Sequence, residues 1–305
     1  MMNRAYLDSV RLLLDVAPDV FREPVFALKG GTAINLFLRD LPRLSVDLDL
    51  VYADYRPGRA EAMTAIDSAL DSAKVELERR NFRCDRGSGG EETKLFIERE
   101  RVRIKIEVNH VFRGTLLPVA SRPLSEAAQD IFFTDIELPV LHPDELYGSK
   151  LVAAMDRQHP RDLFDVLNLY TEGGGLSSGI AECFVCYLAG HNRPVHEVLF
   201  ANQIDISRAY ANEFNGMPRN PAGLDELLAI REQLFVDLPS NLSERQRAFL
   251  LGLVQCEPDW SLMSCAHLRE MPAIRWKLAN LTRLRESNPA KFAGQEIELR
   301  RRLEA

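Results

Sequence analysis

From Arg43 to Tyr52 the chain reads RLSVDLDLVY, and its apolar and polar residues alternate strictly. Leu44, Val46, Leu48 and Leu50 share one face, and Ser45, Asp47 and Asp49 share the other. Period-two alternation marks a strand with one buried and one open face. Such a strand needs partners at its edges and an apolar layer beneath it. The pattern recurs in RVRIKIEVN, residues 101–109. There Val102, Ile104, Ile106 and Val108 face one way, and Arg103, Lys105, Glu107 and Asn109 face the other. A further strand is expected over Lys94–Glu98. The first half of the chain therefore builds a sheet with one polar face.

Helical periodicity surrounds these strands. Val10, Leu13, Leu14 and Val16 predict an opening helix within residues 1–20, and residues 59–81 predict a second. Phe26 and Ala27 read as the chain entering a turn, with Thr32 opening a helix through Leu38. Residues 86–90, RGSGG, read as a turn. The texture changes after about Ser121. Helices are expected from Pro143 or Asp144 and from Pro160, where proline and aspartate suit a helix start. The remainder is helical, with loops at 173–175 and 218–221. With 305 residues, two domains are expected: a mixed α/β domain over 1–138 and a helical one over 139–305.

Composition narrows the functional classes. Apolar residues make up 46% and charged residues 27%, values of an ordinary globular protein. No apolar run reaches the roughly 18 residues of a membrane-spanning helix. The opening residues mix acids into their apolar stretch and lack a small-residue cleavage site, so they do not read as an export signal. The five scattered cysteines then read as reduced thiols of a cytoplasmic protein. A net charge of -7 excludes a globally basic nucleic-acid binder but allows a local basic patch.

The chemistry concentrates at Gly30-Gly31-Thr32 and Asp47-Leu48-Asp49. Carboxylates at i and i+2 of a strand point to the same side. They repel unless a cation lies between them, and hard oxygen ligands of this kind suit Mg²⁺ shared with substrate phosphates. Glycines let a phosphate approach the backbone, and a following helix start presents free N–H groups. Thr32 offers a hydroxyl at the same place. Together these features describe a polyphosphate site. Glu107 supplies a third acid if its strand neighbours that of Asp47 and Asp49. Three converging carboxylates suit two-metal phosphoryl or nucleotidyl transfer.

In the helical half, Lys150, Ala153, Ala154 and Arg157 share one helix face. The next helix carries Arg161, Asp162 and Asp165, with Arg161 able to pair with Asp165. Two readings stand open. One is an ion-pair network clamping two helices; in the other Lys150 reaches a triphosphate while an aspartate orients a base or metal. Cys183 and Cys186, with His191 and His196, mimic zinc-ligand spacing but lie in an apolar helical run. HPRDLFD lacks the companion motifs of a protein kinase, and no Walker lysine follows the glycines.

Taken together, LKGGTAINLF, RLSVDLDL, KIEVN, YGSKLVAAMDR and PRDLFDV resemble the motif series of the AbiEii/AbiGii family of nucleotidyltransferase toxins, which includes the MenT toxins. The likeness is strong over about residues 25–170 and looser beyond, where PAIRWKLANLTRLRE is similar to the family's C-terminal helix. It implies an α+β fold: a DNA polymerase β-like nucleotidyltransferase core, with a mixed sheet flanked by helices, followed by an all-helical C-terminal domain that completes the active site. It implies that Asp47 and Asp49, with Glu107, hold Mg²⁺ or Mn²⁺, and that Gly30, Gly31 and Thr32 hold an NTP substrate, assisted by Lys29 and Arg43. Lys150 would contact phosphates, and Asp162 or Asp165 would complete the catalytic set. The departures are a longer gap between Thr32 and Asp47 and a glutamate as third acid.

The implied activity is transfer of a nucleotide to an acceptor, a tRNA 3′ end in the MenT group, by a toxin restrained by a cognate antitoxin. The same core also suits modification of a protein or small molecule, or a silent nucleotide- or RNA-binding module. An RNA partner requires local positive charge. Residues 271–305 hold Arg275, Lys277, Arg283, Arg285, Lys291 and Arg300 to Arg302 against Glu286, Glu296, Glu298 and Glu304, and Arg99, Arg101, Arg103 and Lys105 add to them.

Overall fold

The structure, a computed structural model, describes residues 2–89 and 92–304. The chain divides into two compact units. One comprises Met1–Leu146 with Phe214–Pro221; the other comprises Tyr147–Glu213 with Ala222–Ala305.

The first unit is built on a mixed sheet. Its strands are β1 (Phe26–Lys29), β2 (Asp47–Tyr52), β3 (Arg83–Gly89), β4 (Glu92–Arg99), β5 (Val102–Asn109), β6 (Ala120–Pro123) and β7 (Glu137–Val140). They lie in the order β3-β4-β5-β2-β1-β7-β6. β2 runs parallel to β5 and β1 parallel to β7, and the other neighbours are antiparallel. Leu48 and Leu50 of β2 and Ile104, Ile106 and Val108 of β5 are buried on one face.

Two helices contribute to that core. Helix α1 (Arg4–Val20) is capped by Asn3, whose side chain accepts from the Ala5 N–H, and it packs on β5. It buries Val10, Leu13, Leu14 and Val16, the residues whose spacing predicts it. Helix α3 (Arg59–Arg79) buries Ala62, Ile66, Leu70, Ala73 and Leu77 and packs on α1. Between β1 and β2, a single α-turn α2 (Gly30–Thr32) continues into a π-helical stretch over Ala33–Leu38.

Three local expectations are corrected by pairing. Phe26 and Ala27 do not enter a turn but form β1 against Tyr52 and Val51. Arg86 to Gly89 belong to β3, paired with β4 from Leu95 to Glu92. Gly87 admits the Phe96 ring, which would lie 3.0 Å from a β-carbon there. Gly90, the remaining residue of the expected turn, lies outside the described residues. The alternating run joins the sheet only from Asp47. Ser45, expected on the open face, is buried, and Arg43 and Leu44 are instead tied to Pro218 and Met217.

Helix α4 (Glu126–Phe132) precedes β7, and helix α5 (Pro143–Arg157) contains the division between the units. The second unit continues with α6 (Pro160–Thr171), α7 (Ser178–Ala189), α8 (Val195–Leu199), α9 (Ser207–Ala209, extended by a π-turn whose last residue, Phe214, belongs to the first unit), α10 (Leu224–Ser240), α11 (Glu244–Val254), α12 (Pro272–Ser287) and α13 (Pro289–Leu303). Gly148 of α5 lies so close to α7 that a β-carbon there would meet the Cys183 carbonyl carbon at 2.7 Å. Ser243 and Gln246 form a reciprocal cap on α11. Among the described residues, no helix is long and apolar enough to cross a membrane.

Candidate active site

The first unit gathers charge on the open face of the sheet. Asp47 and Asp49 alternate with buried Leu48 and Leu50, so both carboxylates stand half-buried on one side of β2. β1 and β5 flank them. Lys29 lies opposite Asp49 on β1, while Lys105 and Glu107 lie opposite Asp47 and Asp49 on β5. Directly opposed residues share a face, so Glu107 does neighbour the acid pair. Lys94 follows on β4, opposite Glu107.

The glycines meet the acids from the other direction. Gly30 has φ +73°, a left-handed conformation that only glycine adopts without strain. A β-carbon there would stand 2.2 Å from Asp49 Oδ2. Gly31 is equally confined: a β-carbon would meet Arg43 Nη2 at 2.8 Å and Ser45 Oγ at 2.9 Å. Thr32 is buried, and its hydroxyl donates to the Asp47 carbonyl at 2.6 Å. It therefore pins the start of β2. Asn35 Nδ2 donates to the Gly31 carbonyl at 2.9 Å, which ties the turn to the helical stretch behind it. Arg43 is also buried and donates to the Leu44 carbonyl at 3.0 Å.

Glu107 is held by two lysines. Its Oε1 lies 2.8 Å from Lys94 Nζ, and its Oε2 lies 3.0 Å from Lys105 Nζ. Burial pushes its carboxyl up, but the two ammonium groups outweigh that and hold it below the usual glutamate range. Lys94 and Lys105 are site neighbours that the sequence reading does not place among the site residues. Their signal was the same alternation that exposes Glu107. Among the described residues, no three His, Cys, Asp or Glu side chains are disposed to hold a metal ion. Asp47 and Asp49 do fit a divalent cation of the Mg²⁺ type, which takes one or two carboxylates and completes its shell with water and phosphate. The close approach of Gly30 to Asp49 leaves backbone, not a side chain, beside that position.

The second unit holds a separate ionic cluster. Lys150 Nζ lies 2.8 Å from Asp162 Oδ1 and 3.0 Å from Asp165 Oδ2. Arg157 reaches Asp162 Oδ2 at 2.5 Å. Lys150 is 5% exposed and each aspartate 1%. Burial opposes the charge on Asp162, yet Lys150 and Arg157 together drive its carboxyl far below the usual range. Lys150 thus joins α5 to α6 through two carboxylates.

The basic stretch at the C-terminus is largely spent internally. Lys277 is buried and donates to the His191 and Arg193 carbonyls at 2.9 and 2.6 Å, and burial lowers its pKa to about 8. Arg300 pairs with Glu296, and Arg301 and Arg302 pair with Glu298. In the first unit Arg99 pairs with Asp15, and Arg103 lies over the Phe96 ring. Arg285 lies over the Phe292 ring, while Arg101, Arg275, Arg283 and Lys291 are exposed, and Trp276 of α12 is 46% exposed.

The first unit thus sets a strand-borne acid pair against a glycine turn within a mixed sheet. The family model described as "Nucleotidyl transferase AbiEii toxin, Type IV TA system" matches residues 11–280, and the chain belongs to this family. It is therefore a nucleotidyltransferase and the toxin of a type IV toxin–antitoxin system, which implies a nucleotide substrate and an antitoxin partner. No curated protein sequence matches it. Among solved structures it is similar to MenT4, a nucleotidyltransferase toxin from Mycobacterium tuberculosis H37Rv. The TM-score is 0.58 and the identity 20%, covering 91% of this chain and 95% of that one. At that identity the likeness is one of fold, and it agrees with the expected mixed sheet followed by helices.

Proposed function

We propose that the chain transfers a nucleoside monophosphate from an NTP to an acceptor hydroxyl, at the 3′ end of a tRNA. The observation that carries the transfer chemistry is the packing of Asp49 against the bare Cα of Gly30. It joins an acid pair to a backbone that a phosphate can approach closely. Asp47 and Asp49 would hold Mg²⁺ or Mn²⁺. When bound, that ion would neutralise the departing pyrophosphate and acidify the attacking hydroxyl.

The chain's own groups do the rest. Gly30 and Gly31 keep side chains away from the triphosphate, and Lys29 and Arg43 add positive charge beside them. Thr32 acts on β2 through the Asp47 carbonyl. Lys150, Asp162 and Asp165 contribute by fixing α5 on α6. The tRNA acceptor is favoured by the exposed Arg275 and Arg283 and the exposed indole of α12, a combination that suits phosphates and stackable bases.

The test is incubation of the purified chain with Mg²⁺, each α-labelled NTP in turn and total tRNA, with Asp49→Asn alongside. Label on tRNA that Asp49→Asn loses is the expected result. Label on protein would move the acceptor to a side chain. Mg–NTP binding without pyrophosphate release would make the chain a binding module.

A further inference from the structure

The charges on the open face of the sheet form two rows. One crosses four strands as Lys29, Asp49, Glu107 and Lys94, and the other sets Asp47 against Lys105. Three carboxylates on adjacent strands repel one another. The chain's own lysines answer that repulsion. Both oxygens of Glu107 are taken, one by Lys94 at 2.8 Å and one by Lys105 at 3.0 Å. The Lys105 ammonium also lies 3.9 Å from Asp47 Oδ1. It is shared between the third-strand acid and the first acid of the pair. The Lys105 side chain is 32% exposed and that of Glu107 only 17%.

We propose that Lys105 is a cation that balances Asp47 before a divalent ion arrives, and that Glu107 is a positioning residue that tethers Lys105 rather than a metal ligand. This rests on the reading of Asp47 and Asp49 as the metal-holding pair. An ammonium on a flexible four-carbon stem leaves a half-exposed carboxylate readily. A divalent ion at Asp47 and Asp49 therefore displaces Lys105 from Asp47. The more buried Glu107 keeps hold of it, beside the position where triphosphate charge arrives. The third-strand acid thereby spends its charge on a lysine, and the metal is held by two carboxylates.

Mn²⁺ without nucleotide is the probe, titrated by electron paramagnetic resonance into the full chain. The proteins are wild type, Lys105→Met, Lys105→Met/Glu107→Gln and Asp49→Asn, each first checked for folding by circular dichroism. Asp49→Asn should lose Mn²⁺ binding. Lys105→Met should bind Mn²⁺ roughly two- to fivefold more tightly, the scale of a half-exposed ion pair. Adding Glu107→Gln should leave that affinity unchanged. Unchanged or weaker binding by Lys105→Met overturns the competition. A loss on adding Glu107→Gln as large as that of Asp49→Asn overturns the tether and makes Glu107 a ligand. Full binding by Asp49→Asn overturns the metal reading itself, and this inference with it; loss there with an unchanged Lys105→Met overturns only the inference.

Discussion

The carboxylate of Asp49 occupies the space that a side chain on Gly30 would need: Oδ2 lies 2.2 Å from the position of a β-carbon there. Gly30 precedes Asp49 by nineteen residues in the chain, yet the two are packed as one surface because β1 pairs with β2 at Lys29 and Asp49. That contact gives the first prediction. Gly30→Ala forces a side chain into the left-handed region, at a cost of about 1–2 kcal/mol, and pushes the Asp49 carboxylate aside. Nucleotide transfer should fall by about 100-fold, the penalty for displacing a reacting group by about 1 Å. Transfer assays and a thermal melt on the same sample check both effects.

Asp47→Ala and Asp49→Ala should each abolish transfer, by roughly 100-fold or more, and leave the fold intact. Both side chains are half-buried on the open face, so neither contributes to the apolar core beneath β2. Circular dichroism and transfer of label from an α-labelled NTP separate the two properties. Wild-type turnover in either variant would remove the acid pair from the mechanism. Expression of the wild type, but not of these variants, should also slow growth.

Lys150 holds two buried carboxylates at once, so its removal takes an ammonium from Asp165 and leaves Asp162 with Arg157. Lys150→Met should lower stability by about 3–5 kcal/mol, as for a broken buried ion pair. Transfer measured where the variant is still folded then reports any direct role in the reaction.

Asp162 gives the same cluster a pH signature. Its folded pKa is depressed by Lys150 and Arg157 against the effect of burial, so it binds protons more weakly folded than unfolded. Its stabilisation is complete above the ordinary carboxylate value of about 4, and it is lost as pH falls below that. Urea melts between pH 7 and pH 3 should show the gap between wild type and Asp162→Asn narrowing with acid.

If tRNA is the acceptor, the cations left open on α12 should carry part of its binding. Arg275→Ala and Arg283→Ala should each weaken tRNA binding and reduce the slope of log affinity against log salt by about 1. Trp276→Ala should weaken it without changing the slope. Arg301→Ala is the contrast, because Arg301 is already paired with Glu298. Filter binding across a salt series distinguishes these four.

Local pattern in the sequence determined most of the elements. Alternation marks β5 and most of β2 and makes Asp47, Asp49 and Glu107 point the same way, because side-chain direction in a strand depends only on position. Helical spacing marks α1, α3, α5 and α6 for the same reason. Tertiary structure decided the rest. The four residues of β1 and the glycine-rich β3 become strands only because β2, β7 and β4 pair with them. Arg43 to Val46 alternate like a strand but leave the sheet, because Met217 and Pro218 return from far along the chain to hold them. The alternation exposes Lys94 and Lys105, but only the register of β4, β5 and β2 commits them to Glu107. Periodicity reports what a residue's neighbours in sequence do. Hydrogen-bond partners and ion pairs across a sheet are chosen by the fold as a whole.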